Sequence, residues 1–247
     1  MIYDNAIRRL EDVYPFGTVS LLKEFPATHA APKISDGAIA KFETASGGDI
    51  VFAEGVRILR GDNKFTVDGK SSLIAVGSGT TLENSLIQIN GEGCVVIVGE
   101  NCRLRGLKIV VRRTNSMVFI GSSTTWESGA IISESGNIVA VGNDCMMSNS
   151  VVLRTSDGHS IFDRSTREPI NNPADLLIGD HVWLGNSARV NKGSCIGTGT
   201  VVGQCSIVSG YLDGAAVYGG APARKLREGI VWSRTHRYED IPERFLT

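Results

Sequence analysis

The sequence predicts an all-β solenoid, in which the chain winds through stacked coils of three short faces. Three observations carry that expectation. A six-residue beat starts at Ile178 and runs IGDHVW, LGNSAR, VNKGSC, IGTGTV, VGQCSI, VSGYLD, with an aliphatic residue at Ile178, Leu184, Val190, Ile196, Val202 and Val208. Neither a helix of period 3.6 nor a strand of period 2 keeps such a beat over thirty residues, whereas coiling solenoids do. Four places after each aliphatic residue stands a small or apolar one: Val182, Ala188, Ser194, Thr200 and Ser206. Glycine makes up 29 of 247 residues, more than the usual ~7%, as a fold built from corners requires.

Taken in order, the elements begin with a short helix. Asp4 suits its N-cap, and Ile7, Leu10, Val13 and Tyr14 share one face. Because an open solenoid end exposes unpaired strand edges, this helix is expected to cover the first coil. Residues 15–45 read as a connection, which sets unit boundaries at 1–45, 46–216 and 217–247. Coils then announce themselves as an apolar run, a glycine, two polar residues and a small one. The segments are LIAVGSGTTL (73–82), VVIVGENCRL (95–104), MVFIGSSTTW (117–126) and IVAVGNDCMM (138–147), with a looser copy at IVFAEGVRI (50–58). Val76, Val98, Ile120 and Val141 follow one another at 22, 22 and 21 residues. Each step reads as one full coil, giving six or more in a continuous stack. The glycine after each aliphatic residue is expected to turn the corner through backbone angles that other residues resist.

The next step, Val141 to Ile178, is 37 residues. About one coil of regular pattern is missing, and the polar stretch RTSDGHSIFDRSTREPINNPAD reads as a loop, 154–177, extruded from the stack. Long ordered loops on rigid scaffolds often carry function. This one holds His159, one of four histidines. A neutral imidazole is the side chain best suited to accept a proton near pH 7. Asp157 reads as a plain loop aspartate that also lies within reach of orienting His159. His181 falls in a corner and reads as structural or exposed. Trp183 precedes an inward Leu184 and so points outward, as an oligomer contact or a ligand wall.

Net charge is −1, which excludes a general nucleic-acid binder. Arg103, Arg105, Lys108, Arg112 and Arg113 crowd into eleven residues and read as a solvated face, with a strip for an acidic polymer as the alternative. Five cysteines lack metal-type spacing. Cys102 and Cys145 fall at inward small positions and Cys205 nearer the surface, consistent with reduced thiols in a cytoplasm. No stretch approaches a membrane span, and no apolar leader region is evident.

Two motifs then carry a resemblance. IGDHVWLGNSARVNKG and VYGGAPARKLR (217–227) look like the repeat coil and the closing segment of the hexapeptide-repeat acyltransferases. The likeness is strong over 140–232, reduces to cadence over 50–140, and does not cover 1–49. The loop TSDGHSIFDRSTREPIN and the 24-residue spacing from His159 to Trp183 most resemble the polysaccharide O-acetyltransferases, including those acting on polysialic acid capsules. The resemblance implies a left-handed parallel β-helix with short terminal helices, a homotrimer and acetyl-CoA as co-substrate. It implies His159 as catalytic base and Trp183 beside the acetyl group. It also implies coenzyme contacts at Asn186, Gln204, Ser209, Arg224, Lys225 and Arg227. Gly210 departs from a lysine common in the family.

On this reading a sugar hydroxyl of a saccharide acceptor, neutral or acidic, attacks the thioester directly while His159 takes its proton. A backbone N–H between Trp183 and Asn186 meets the oxyanion. No metal is expected, since a zinc hydrase on this fold needs three histidines. An amine acceptor on an amino sugar, or a non-catalytic assembly module, are the rival functions.

Overall fold

The computed structural model describes residues 2–16 and 30–246. His29 and the rest of 17–29, part of the expected connection, lie outside the described residues. Among the described residues, three sheets of ten, eight and eight strands enclose one core, and eight coils each give a strand to every sheet. The chain passes from first face to second to third and back. On the first face lie Met146–Met147, Trp183–Leu184, Val201–Val202 and Ala216–Gly219. The second carries Gly129–Glu134, Val151–Arg154, Arg189–Val190 and Ile207–Val208. The third carries Met117–Ile120, Ile138–Val141, Leu176–Ile178 and Cys195–Ile196. Pairing is parallel except at the last strand, Arg224–Glu228, which folds back antiparallel on Ala216–Gly219. Among the described residues the short helical elements are α1 (Ile2–Val13) and two 3-10 turns, Tyr238–Asp240 and Glu243–Phe245.

The beat residues stack as the sequence predicts. Val76 pairs with Val98, then Ile120, Val141, Ile178 and Ile196 in unbroken register. All are buried, as are Val182, Ala188, Ser194, Thr200 and Ser206. The inward hydroxyls find partners, which removes the cost of burying them. Thr200 Oγ1 donates to Asp213 O at 2.9 Å, and Ser206 Oγ accepts from Gly220 N at 3.1 Å. Cys102 and Cys145 are buried and Cys205 is exposed.

Four expectations need correction. The step of 37 residues loses no coil: Val141 pairs directly with Ile178, so the extra residues are a pure insertion. Helix α1 does not cover the first coil. It lies along the outside of the third face, with Ala6, Ile7, Leu10 and Tyr14 packed on residues such as Leu73, Val95, Ile97, Met117, Phe119 and Ile138. Tyr14 Oη reaches Ile178 O at 2.8 Å, and the Arg9 guanidinium donates to Asn115 O and Gly136 O. The cause is legible: 73–76, 95–98, 117–120 and 138–141 are apolar at every position, so both sides of these strands require burial. The coils begin at Lys33–Ile34 and Ala38–Thr44, which pair with Arg57–Ile58 and Gly61–Asp68, ahead of the expected boundary at 46.

The fourth correction concerns glycine. The left-handed corner residues stand two places later, at His181, Ser187 and Cys205, with φ of 52°, 59° and 56°. Gly185 is required by close approach instead. A Cβ there would sit 2.7 Å from Gln204 N and 2.9 Å from Gly203 C of the next coil.

Candidate active site

The insertion leaves the corner between the second and third faces, after Val151–Arg154 and before Leu176–Ile178. It is a hydrogen-bonded hairpin. Phe162 and Pro169 bridge across it. At its tip, Asp163 Oδ1 accepts the Ser165 hydroxyl at 2.6 Å and the N–H groups of Ser165 and Thr166 at 2.8 Å. These bonds, the Ser165 hydroxyl foremost, pull the Asp163 pKa down to about 2. At the base, Asn171 Nδ2 donates to Asp157 Oδ2 at 2.8 Å and to His159 O at 2.9 Å. Lys192, from the next coil, donates to Asp157 Oδ2 and Asn171 O.

That arrangement decides the role of Asp157. Its carboxylate is engaged by Lys192 and Asn171, which hold its pKa below the usual value, so it fixes the loop base and makes no bond to the His159 ring. The His159 imidazole is exposed and has no hydrogen-bond partner among the described residues, while its backbone is held through Asn171. Asn171 and Lys192 escaped sequence reasoning, because nothing in their spacing marks a loop clasp.

Trp183 points outward from the first face and keeps 37% of its surface exposed. It stands in one column with Met146, Val201, Val217 and Arg227. Three strand spacings separate Trp183 from Arg227, roughly 14 Å. Arg227 has no ion-pair partner among the described residues, whereas Lys225 is drawn to Asp213 Oδ2 at 2.6 Å and Glu228 Oε2 at 3.5 Å. Arg224 is exposed and donates to Ala223 O at 3.3 Å. Asn186 and Gln204 are exposed at the corner between first and second faces, at the edge of the Trp183 column. Ser209 lies elsewhere, at the second–third corner, where it accepts from Asn191 Nδ2 at 3.0 Å. The N–H groups of Trp183 and Gly185 are committed to Thr200 O and Val202 O. No hydrogen bond among the described residues engages the Asn186 N–H.

The residues therefore fall into two groups. His159 and Ser209 belong to the second–third corner; Trp183, Arg224, Lys225 and Arg227 belong to the first face, with Asn186 and Gln204 at its edge. In a three-sided prism a corner lies opposite the remaining face. His159 and Trp183 of one chain do not come together.

Two other sequence readings resolve here. His181 is structural: it is buried, and both ring nitrogens are engaged, Nδ1 with Asp144 Oδ2 at 2.8 Å and Nε2 with Trp232 O at 2.9 Å. The basic run splits between faces, and three of its five residues meet carboxylates, Arg103 and Arg105 on Glu127, Arg105 on Glu83, and Arg112 on Glu134, which fits a solvated surface.

No family profile matches the chain. It is 32% identical over 149 residues to the polysialic acid O-acetyltransferase of Escherichia coli O1:K1 / APEC, covering 60% of this chain and 48% of that protein. It is 30% identical over 131 residues to the polysialic acid O-acetyltransferase of Neisseria meningitidis, covering 53% and 60%. The chain spans about half the length of these curated relatives. Among solved structures it overlays on the polysialic acid O-acetyltransferase OatWY with TM-score 0.69 at 24% identity, covering 84% of this chain and 92% of that one. It overlays on the polysialic-acid-specific acetyltransferase NeuO with TM-score 0.58 at 25% identity, covering 84% and 85%.

The chain has the left-handed β-helix fold of the hexapeptide-repeat acyltransferases and is similar to polysialic acid O-acetyltransferases over part of their length. No helix among the described residues is long and apolar enough to cross a membrane.

Proposed function

We propose that this protein is a cytoplasmic, acetyl-CoA-dependent O-acetyltransferase that acetylates a sugar hydroxyl of a bacterial surface or capsular polysaccharide. The site forms between copies of a homotrimer. The observation that carries the reading is the separation of His159 from Trp183 in a fold shared with polysialic acid O-acetyltransferases. A loop base and a tryptophan wall on opposite sides of one prism make a site only when two chains adjoin.

His159 of one copy takes the proton of the acceptor hydroxyl as its oxygen bonds to the thioester carbonyl carbon. The oxyanion is met by the Asn186 N–H of the neighbouring copy, whose Trp183 walls the acetyl group. Collapse breaks the carbon–sulfur bond, and the proton held by His159 passes to the leaving thiolate. Arg227 and Arg224 meet the nucleotide phosphates, Gln204 lies along the pantetheine arm, and Lys225 contributes less because Asp213 already partners it. Ser209 approaches the coenzyme only from the copy that supplies His159, since it shares that corner.

The test is acetyl-CoA turnover, followed as thiol release, against a panel of saccharides that includes polysialic acid, with NMR of the product. Ester formation on a sugar hydroxyl supports the reading. Turnover with amino sugars alone replaces it with amine transfer, and failure to bind acetyl-CoA replaces it with an assembly module. Sedimentation as a monomer removes the shared site.

A further inference from the structure

The segment after Arg224–Glu228 does not stay at the end of the stack. It runs back along the corner between third and first faces to the coil that carries Trp183. Trp232, only 6% exposed, exchanges two hydrogen bonds with His181 across 51 residues: its Nε1–H donates to His181 O at 2.8 Å, and its carbonyl engages Nε2 at 2.9 Å. The imidazole is layered between two rings of this segment, Trp232 at 4.0 Å and 8° and Phe245 at 4.2 Å and 11°. Arg234 completes the seat. It donates to Asp144 Oδ1 at 2.8 Å, to Thr125 Oγ1 at 3.0 Å, to the carbonyls of Asp144 and Cys145 at 2.9 Å, and to Ser123 O at 3.3 Å.

These contacts converge on Trp183. His181 is two residues before it, and the Trp232 ring lies 5.9 Å from the Trp183 ring at 47°. On the far side of Trp183 from Arg227 is a groove of about 670 Å³ whose walls include Arg103, Thr125, Met146, Ser148 and Arg234. Trp183 thus stands between the column leading to Arg227 and an open groove that the returning segment helps to wall. A segment that served only to close the last coil would have no cause to spend this many polar contacts on an earlier one.

We propose that residues 230–246 form a positioning strap: seated through His181, Asp144 and Arg234, it sets the orientation of the Trp183 indole and shapes the groove that receives the acceptor. The groove's role rests on the functional reading above; the control of Trp183 does not. Trp232 and Phe245 are positioning residues, acting through Trp183; Arg234 seats the strap and also walls the groove. A misplaced wall at the reacting group costs rate far more than it costs coenzyme affinity, about 10- to 100-fold for displacements near 1 Å.

The experiment uses the full chain labelled with 5-fluorotryptophan, with the Trp183 resonance assigned by Trp183→Phe. Phe245→Ala and Arg234→Ala leave both indoles in place. The strap requires the Trp183 resonance to shift and broaden in both variants and to return in Phe245→Tyr. It also requires kcat to fall about 10- to 100-fold with acetyl-CoA affinity unchanged within about twofold. A Trp183 resonance identical to the parent's in folded Phe245→Ala overturns the proposal. Phe245 is partly exposed, so this variant keeps the question open to test even where Arg234→Ala fails to fold. A parent protein without turnover on any acceptor removes the functional reading alone, because the fluorine signal still tests the strap.

Discussion

Substituting Gly185 by alanine isolates what holds the coils at their spacing. The new Cβ would lie 2.7 Å from Gln204 N, 2.9 Å from Gly203 C and 3.0 Å from Val202 O. All three are backbone atoms of the next coil, so no side chain can swing aside. Ordinary contact begins near 3.4 Å, and relief requires the two coils to part by several tenths of an ångström. That movement stretches the Gly185 N to Val202 O bond, 2.8 Å at present. Overpacking of this kind costs about 1–3 kcal/mol, and for a chain of this size each kcal/mol lowers Tm by roughly 2–4 °C. Thermal unfolding followed by circular dichroism should therefore show Gly185→Ala melting roughly 2–12 °C below the parent. Ser187→Gly is the control. Ser187 already holds φ of 59°, so glycine relieves left-handed strain while adding freedom to the unfolded chain, and the two effects nearly cancel. If Gly185→Ala melts with the parent, or if Ser187→Gly is the more damaging change, the close-approach argument is wrong.

Other outcomes follow from the same geometry. His159→Ala should lower kcat by about 10²–10⁴-fold with Tm unchanged, since the ring is exposed and without a partner; unaltered turnover in steady-state assays would move the base elsewhere. Arg227→Ala should weaken acetyl-CoA binding in calorimetry by about tenfold or more. Lys225→Ala should do less, because that charge is already drawn to Asp213; the reverse ranking would relocate the phosphate end. For the strap, burial pushes the Asp144 carboxyl up, but hydrogen bonds from His181 and Arg234 and the guanidinium charge outweigh it and leave the pKa lowered. A depressed carboxylate stabilises above its unfolded value of about 3.9 and loses that contribution as pH falls through the folded one. Limited proteolysis should find the segment protected at pH 5 and released only below about pH 4; release between pH 5 and 7 would contradict this.

The coils were legible because a solenoid repeats the same physical demand at each turn: Ile178, Leu184 and Val190 must fill the same interior. The outward Trp183 and the extruded loop followed from that frame. What escaped was set by contacts distant in sequence. The apolar face of α1 announced burial but not the partner, and the signal lay instead in runs such as VVIV and MVFI, which lack a polar side. The strands at Lys33–Ile34 and Ala38–Thr44 carry no glycine beat and have mostly exposed side chains, so they resembled a connection. Trp232 and Arg234 showed no pattern of their own; their meaning depends on Asp144 and His181, roughly 50 to 90 residues away. The opposition of His159 and Trp183 was hidden for the same reason: 24 residues along the chain do not reveal which faces they occupy.

That opposition is the centre of the account, and mixing variants tests it directly. His159→Ala and Trp183→Ala proteins, each near background alone, are unfolded together in equal amounts and refolded. If each site takes His159 from one copy and Trp183 from its neighbour, random assembly restores intact sites with a chance of one half times one half. Activity should return to about a quarter of the wild-type value for a closed ring of identical interfaces. A mixture that stays at background would mean that both residues act within one chain, or that they do not share a site, and would contradict the account.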